Sequence, residues 1–306
     1  MDAHARAGIE IHGKVMRYAE VEHYGPHYRL LRLGSCDFEF DAGAEVLTAE
    51  NPTHMQTVAD AVKDVFDKCI ATDLHIALHP PSCYSFFTPL SSTDGVSTRK
   101  EQLRKETALL TGPETASALH LTVDPASLEA QAEVGRDWYH ILGMPEHLHT
   151  RFLHILEALP IYTYRPRISM QAAARVVERV ERAAGYRGRL QAPYTLAIGW
   201  YQTHLEYVLC REGQWCFCHF TEPGAAVDAA YFSVSLLDRL RIPVEAVGRL
   251  FVYGSPVDLS ELVLLQGVFG FEPERLNPVP SADLDPAGVA GSFDVEAYVP
   301  CIGVAL

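Results

Sequence analysis

Gly8-Ile9-Glu10-Ile11-His12-Gly13 runs straight into the apolar stretch Val15-Met16-Arg17-Tyr18-Ala19-Glu20-Val21, and far along the chain Leu196-Ala197-Ile198-Gly199 runs into Thr203-His204-Leu205-Glu206-Tyr207-Val208-Leu209. Each stretch reads as a strand, a tight turn and a returning strand. Two such hairpins, one opening each half of a chain, have the shape that holds a nucleotide's phosphates between two lobes. The chemistry is missing from both copies. Where such a site wants an aspartate, the first hairpin has Glu10 and the second has Ala197.

The segments that follow each hairpin repeat the same order. In the first third, strands are expected at 7–12, 14–22 and 28–36. A helix is expected from Thr53 to Ile70, where Ala59, Val62, Val65, Phe66 and Cys69 recur at three- and four-residue steps. Asn51-Pro52-Thr53 gives it a start signal. Leu74–His79 reads as a short buried strand stopped by Pro80-Pro81. In the last third, strands are expected at 194–200, 203–210 and 214–220, with Arg211-Glu212-Gly213-Gln214 as the hairpin turn. A helix near 224–240, the strand Arg249–Tyr253 and a helix near 258–269 follow. Three antiparallel strands and then alternating helix and strand, twice, predict a two-lobed α/β protein with a cleft between its halves.

The middle differs. Residues 82–165 carry strand-like Cys83–Phe87, a polar helix at 98–110, the strand Ala118–Val123 and a helix at 145–158 with Leu148, Phe152, Ile155 and Leu156 on one face. This reads as a small α+β subdomain inserted into the first lobe. A helix at 169–184 returns the chain to the cleft, ahead of a hinge-like loop at Gly185-Tyr186-Arg187-Gly188. Residues 280–293, rich in Pro, Asp, Ala and Gly, read as a loop.

Composition narrows the function classes. The 306 residues are 48% hydrophobic and 21% charged, enough for a real core. A net charge of −14 argues against nucleic acid, whose phosphates demand Lys and Arg, and against direct contact with anionic lipid. No apolar run is long enough to span a bilayer, and Met1–Arg6 lacks the layout of a signal peptide, so a cytoplasmic location is expected. Seven scattered cysteines give no disulfide framework.

Other chemistry-bearing clusters read more plainly as packing. Alternation puts Cys216 and Cys218 on one strand face and Phe217 and His219 on the other, without the turn that a zinc site places between its cysteines. A thiol or zinc enzyme built on Cys216, Cys218 and His219 is the remotest reading. His147, His149 and His154 are not spaced for one helix face. His75 and His79 share a strand face, but metal binding there is not expected without a carboxylate nearby. Ser82, Cys83 and Ser255 have no adjacent base or nucleophile elbow. Trp138, Tyr139 and Trp215 read as core aromatics.

Taken together, these segments resemble the actin-like ATPase superfamily and, within it, the PilM-type proteins of type IV pilus assembly, relatives of FtsA. PilM-type chains open close to G-I-D-I-G-x-x-x-x-K-x-x-E; here stand Gly8-Ile9-Glu10-Ile11-His12, then Arg17 and Glu20, in the same register. The family's second phosphate loop, D-I-G-x-x-x-T, is matched by Ala197-Ile198-Gly199 and Thr203. Its adenosine-side strand ending in G-G is matched by Phe251-Val252-Tyr253-Gly254-Ser255. Its terminal A-x-G-L-A-L is matched by Cys301-Ile302-Gly303-Val304-Ala305-Leu306. The resemblance implies a two-lobed actin-like fold built from duplicated ribonuclease H-like halves. The first lobe would cover 1–81 and 166–190, the inserted subdomain 82–165 and the second lobe 191–306.

The resemblance also implies degenerate nucleotide loops at Glu10, His12, Gly13, Arg17, Ala197, Gly199, Thr203, Gly254 and Ser255. Glu10 keeps the charge but adds a methylene, and in a metal–phosphate site a reach error of about 1 Å matters. His12 replaces a glycine that lets backbone approach phosphate, with Gly13 next door to rescue the turn. Ala197 offers no oxygen, Arg17 is a planar fork rather than a point charge, and Ser255 replaces a glycine against adenine. The expected function is a non-catalytic PilM-like scaffold with no working cofactor. It would sit in the cytoplasm at the inner face of the membrane, held there by the N-terminal tail of a PilN-like membrane protein; self-association stays open. The alternative is an active ATPase using ATP and magnesium.

Overall fold

The computed structural model describes residues 4–24, 27–80, 82–91, 95–126, 136–157, 159, 163–183, 192–255, 262–279, 283–284 and 294–306. Alternating apolar residues make the opening of the chain a hairpin. β1 (His4–His12) and β2 (Val15–Tyr24) pair antiparallel around Gly13, whose φ of 56° suits a residue without a side chain. β3 (His27–Asp37) continues the meander. After the short α1 (Ala42–Leu47), capped by Asp41, comes α2 (Met55–Phe66), which buries Val58, Val62 and Phe66. β4 (Asp73–Leu78) then lies parallel to β1.

The inserted subdomain is β5 (Tyr84–Ser91), α3 (Val96–Thr111), α4 (Pro113–Ser117), β6 (Leu119–Pro125) and β7 (Arg136–Pro145), with its strands in the order β5-β7-β6. α5 (Glu146–Leu156) packs back on α2. β8 (Thr163–Ile168) joins the first sheet beside β4, and α6 (Ser169–Ala183) runs between the lobes, touching β8 on one side and β10 on the other. The second half holds β9 (Tyr194–Trp200), β10 (Leu205–Arg211), β11 (Gln214–Thr221), α7 (Ala226–Arg239), β12 (Val247–Gly254), α8 (Val263–Phe269) and β13 (Glu274–Arg275). β14 (Asp283–Leu284) and α9 (Val299–Ala305) follow.

The duplication is explicit in the sheets. The first runs β3-β2-β1-β4-β8, extended by β14 beyond β3, and the second runs β11-β10-β9-β12-β13. In each, three antiparallel strands adjoin two parallel ones. Both faces of the second sheet are buried. Leu196, Ile198, Tyr207, Leu209, Leu250 and Val252 face the core under α7 and α8, while Ala197, Val208, Cys210, Phe251 and Tyr253 join the core of the first lobe.

Several expectations change. α1 and β7 carry no clear periodic signal and were not anticipated. The second lobe does not keep the whole of 191–306: α9 is buried against β1, β2, β4 and α6, and β14 pairs with β3, so the chain's end returns to the first lobe. The first-lobe strand β8 starts at Thr163, inside the range expected for the insertion. The hinge-like loop at 185–188 and most of 280–293 lie outside the described residues, as does the start of the helix expected at 258–269. A β-bulge opposite Leu209–Cys210 breaks the alternation of β11, so Cys218 packs in the first-lobe core and Cys216 in the second. The two thiols expected on one face are split.

α9 is held by backbone contacts at two glycines. A Cβ on Gly8 of β1 would stand 1.9 Å from the carbonyl oxygen of Cys301, and one on Gly303 would stand 2.2 Å from that of Ala172 in α6. Gly8→Ala is therefore expected to destabilise the protein by on the order of 3 kcal/mol in chemical denaturation. Gly267→Ala, with nothing within 4 Å, should cost nothing. Equal stability of both variants would refute this packing.

Candidate functional site

The two hairpins face each other across the cleft, and side chains span the gap between them. Glu10, in the middle of β1, is fully buried, and its Oε1 accepts a hydrogen bond from His79 Nε2 at 2.8 Å. His79 directly follows β4 and is also buried. Its other nitrogen, Nδ1, donates across the cleft to Glu206 Oε1 on β10 at 3.1 Å. One imidazole thus joins a carboxylate from each lobe. Arg17, the cross-strand partner of Glu10, brings Nη1 to 3.7 Å from Glu10 Oε2, an oxygen that accepts no hydrogen bond.

Glu206 is the hub on the second lobe. It accepts from His204 Nε2 at 3.0 Å, from the Ser169 hydroxyl at the start of α6, and on Oε2 from Tyr253 OH at 2.6 Å. A directed chain runs back to the first hairpin. His12 Nε2 donates to Thr203 Oγ1 at 3.0 Å, and that hydroxyl donates to His204 Nδ1 at 2.8 Å. The rings pack around these bonds. His12 lies 4.9 Å from both His79 and Tyr201, and Tyr201 lies 4.5 Å from His79 and 4.8 Å from His204, nearly parallel to it.

Burial alone would pull His79 down, but its bonds to the Glu10 and Glu206 carboxylates outweigh that and raise it to about 9, an imidazolium at neutral pH. Burial works against the Glu206 carboxylate as well, yet His204 and His79 hold it well below the usual range. Glu10 is lowered by the His79 bond despite its burial. His12 is the reverse case. Desolvation and the positive His79 push it down to about 4, so it is neutral and serves as a donor only through Nε2. His204 is lowered too, chiefly by burial.

The residues expected from the sequence fall into two groups. Glu10, His12, Arg17 and Thr203 take part in this assembly. Gly13, Gly199, Gly254, Ser255 and Ala197 shape the backbone and packing around it. Gly199 pairs with Glu206, and a Cβ there would stand 2.6 Å from the Tyr253 ring, so the space the glycine leaves holds an aromatic side chain. Gly254 (φ 94°) lets β12 close on Trp200, whose carbonyl accepts from Ser255 N at 2.7 Å. Ala197 is sealed in the core. His79, His204, Glu206, Ser169, Tyr201 and Tyr253 were not anticipated as a unit. One signal was available for Glu206: an acid inside the apolar run Leu205–Leu209 has to find a partner.

The other clusters stay apart from the cleft. Burial raises the Cys216 thiol to about 12 and the Cys218 thiol further. Trp215 packs on Phe87 and His140. His149 stacks on His120, while His147 lines a groove of about 310 Å³ in the inserted subdomain with Tyr84, Thr115, Ala118, Leu119, Pro145 and Glu146. Among the described residues no helix is long and apolar enough to cross a membrane.

No protein-family model matches the chain, and no curated protein matches it by sequence. Solved structures do match by fold. A PilM–PilN type IV pilus biogenesis complex superposes with a TM-score of 0.76 and 14% identity over 98% of this chain and 97% of that one. A protein of actin-like ATPase fold and unknown function from Bacteroides thetaiotaomicron superposes with a TM-score of 0.52 and 12% identity, covering 97% of this chain and 96% of the other. The chain has the actin-like ATPase fold, as the residue patterns led one to expect.

The buried histidines give stability a definite pH dependence. The folded pKa of His79, about 9, lies above its ordinary 6.5, so its contribution is complete below pH 6.5 and is lost as pH rises through 9. His12 and His140, held near 4, and His75, near 3, act in the opposite sense, since each must charge as pH falls below 6.5. Taken together, these groups place the stability maximum in EDTA-treated buffer near pH 7, with a fall of about 2 kcal/mol by pH 9.5. His79→Gln should flatten the alkaline fall. An unchanged alkaline slope in that variant would contradict the assignment.

Proposed function

We propose that this chain is a non-catalytic, PilM-like cytoplasmic scaffold. Its ligand is the cytoplasmic tail of an inner-membrane pilus- or secretion-type assembly protein, and its nucleotide cleft is closed by its own side chains. The observation that carries the reading is the occupied cleft. A magnesium–triphosphate needs free oxygens at the hairpins and room for the phosphates. Glu10 and Glu206 are instead tied to His79, Ala197 has no oxygen, and the rings of His12, His79, Tyr201 and His204 fill the gap. These residues do not fit that group.

The likeness to the PilM–PilN complex along nearly the whole chain supports a tail-binding role. The inserted subdomain has features suited to an extended peptide. Its sheet ends in the half-exposed strand β6, and the groove beside it mixes apolar Leu119, Ala118 and Pro145 with the polar Glu146 and His147. An edge strand supplies main-chain hydrogen bonds, and pockets supply register. Such a partner would hold the protein at the inner face of the membrane.

Peptides copying the cytoplasmic tails of single-span proteins encoded beside this chain are expected to bind. Ala118→Arg, which fills the groove from an exposed position, should weaken them by roughly tenfold or more. Calorimetry with Mg·ATP should give no heat of binding. Tight Mg·ATP binding with turnover abolished by Glu10→Ala would establish the enzyme instead, and failure of every tail peptide would remove the scaffold reading.

A further inference from the structure

His79 follows β4 directly, and the fold brings two carboxylates to it. His79 Nδ1 and His204 Nε2 lie 3.1 and 3.0 Å from Glu206 Oε1, and all three side chains are buried. Their donor atoms fall within 4.8 Å of one another. In a tetrahedral zinc site with bonds of about 2.0–2.1 Å, neighbouring donors stand roughly 3.3 Å apart. The outer contacts are of the kind that orient metal-binding imidazoles. The second nitrogen of His79 meets Glu10 Oε1 at 2.8 Å, and the second nitrogen of His204 meets the Thr203 hydroxyl at 2.8 Å. Three donors, from His79, His204 and Ser169, crowd the single oxygen Glu206 Oε1, while buried Glu10 Oε2 accepts none.

We propose that His79, His204 and Glu206 bind one divalent zinc ion that pins the two lobes together, with Glu10 as the outer partner of His79. Two imidazoles and a carboxylate suit zinc; magnesium prefers oxygen ligands and keeps its water. The two carboxylates together match the charge of a dication. The ligands come from both sides of the cleft, His79 after β4 and His204 and Glu206 from the second hairpin. A bound ion therefore favours the closed arrangement of the lobes. Ser169 or a water completes the shell. The site replaces the phosphate-bridging cation of an ATPase with a structural one and involves no reaction.

The test uses the full-length protein stripped with a chelator and titrated separately with zinc chloride and cobalt chloride. One equivalent should bind, the melting temperature should rise, and the cobalt form should show the intense visible absorption of tetrahedral coordination. His204→Asn should weaken zinc binding by more than about tenfold, as should Glu10→Gln to a smaller degree. His154→Asn, at an exposed position on α5, should leave it unchanged. The cobalt spectrum of the unaltered protein does not depend on any variant folding. No stoichiometric binding by the stripped protein, or zinc affinity indifferent to His204→Asn, would overturn the proposal. Peptide binding at the inserted subdomain is measured independently, so either idea can fail alone.

Discussion

A carboxylate taken out of water without a counter-charge costs several kcal/mol, and two of the buried carboxylates, Glu10 and Glu206, lie on opposite sides of one cleft. The imidazole of His79 lies between them and donates to both. Glu10 meets Arg17 and His79 within its own lobe, and Glu206 meets His204 and Tyr253 within the other. The His79–Glu206 bond joins the two sets, so protonation of His79 is coupled to the apposition of the lobes, and the surrounding donors, Ser169, His204 and Tyr253, all serve the same acceptor. A buried ion pair of this kind adds little net stability over an apolar packing, yet removing one member costs much more than the pair contributes. Its main consequence is a defined interlobe arrangement.

The glycines show how backbone room in this framework is used. In a phosphate-binding hairpin, small residues let backbone meet the ligand. Here Gly199 makes room for the Tyr253 ring, Gly254 lets β12 meet Trp200, and at the tip of β1 the His12 ring reaches Thr203 on the other lobe. Residues far apart in the sequence thus pack together in space between the two hairpins. Gly8 and Gly303 let α9 pack closely between β1 and α6.

The lobes were legible because local periodicity and paired hairpins carry them. Both meanders, α2, β4 and the strands of the second half stand close to where the residue patterns place them. The return of α9 and β14 to the first lobe was not legible, since no local signal tells a terminal helix which sheet it will cover. The bulge that separates Cys216 from Cys218 depends on pairing with β10 and breaks a simple alternation. At the cleft, Glu10, His12, Arg17 and Thr203 belong to the two hairpins that the sequence pattern picks out. The hub was not legible, because His79, Ser169, Glu206 and Tyr253 come from four separate elements and meet only through the topology. Glu206 left the one usable trace, a charge within an apolar strand.

The central claim is that His79 carries a positive charge shared by two buried carboxylates. Nitrogen-15 NMR of histidine-labelled, metal-free protein at pH 7.5 reads this directly. The account predicts that both His79 ring nitrogens are protonated, with imidazolium shifts that persist until about pH 9. A neutral His79 with one bare nitrogen at pH 7.5 would contradict it.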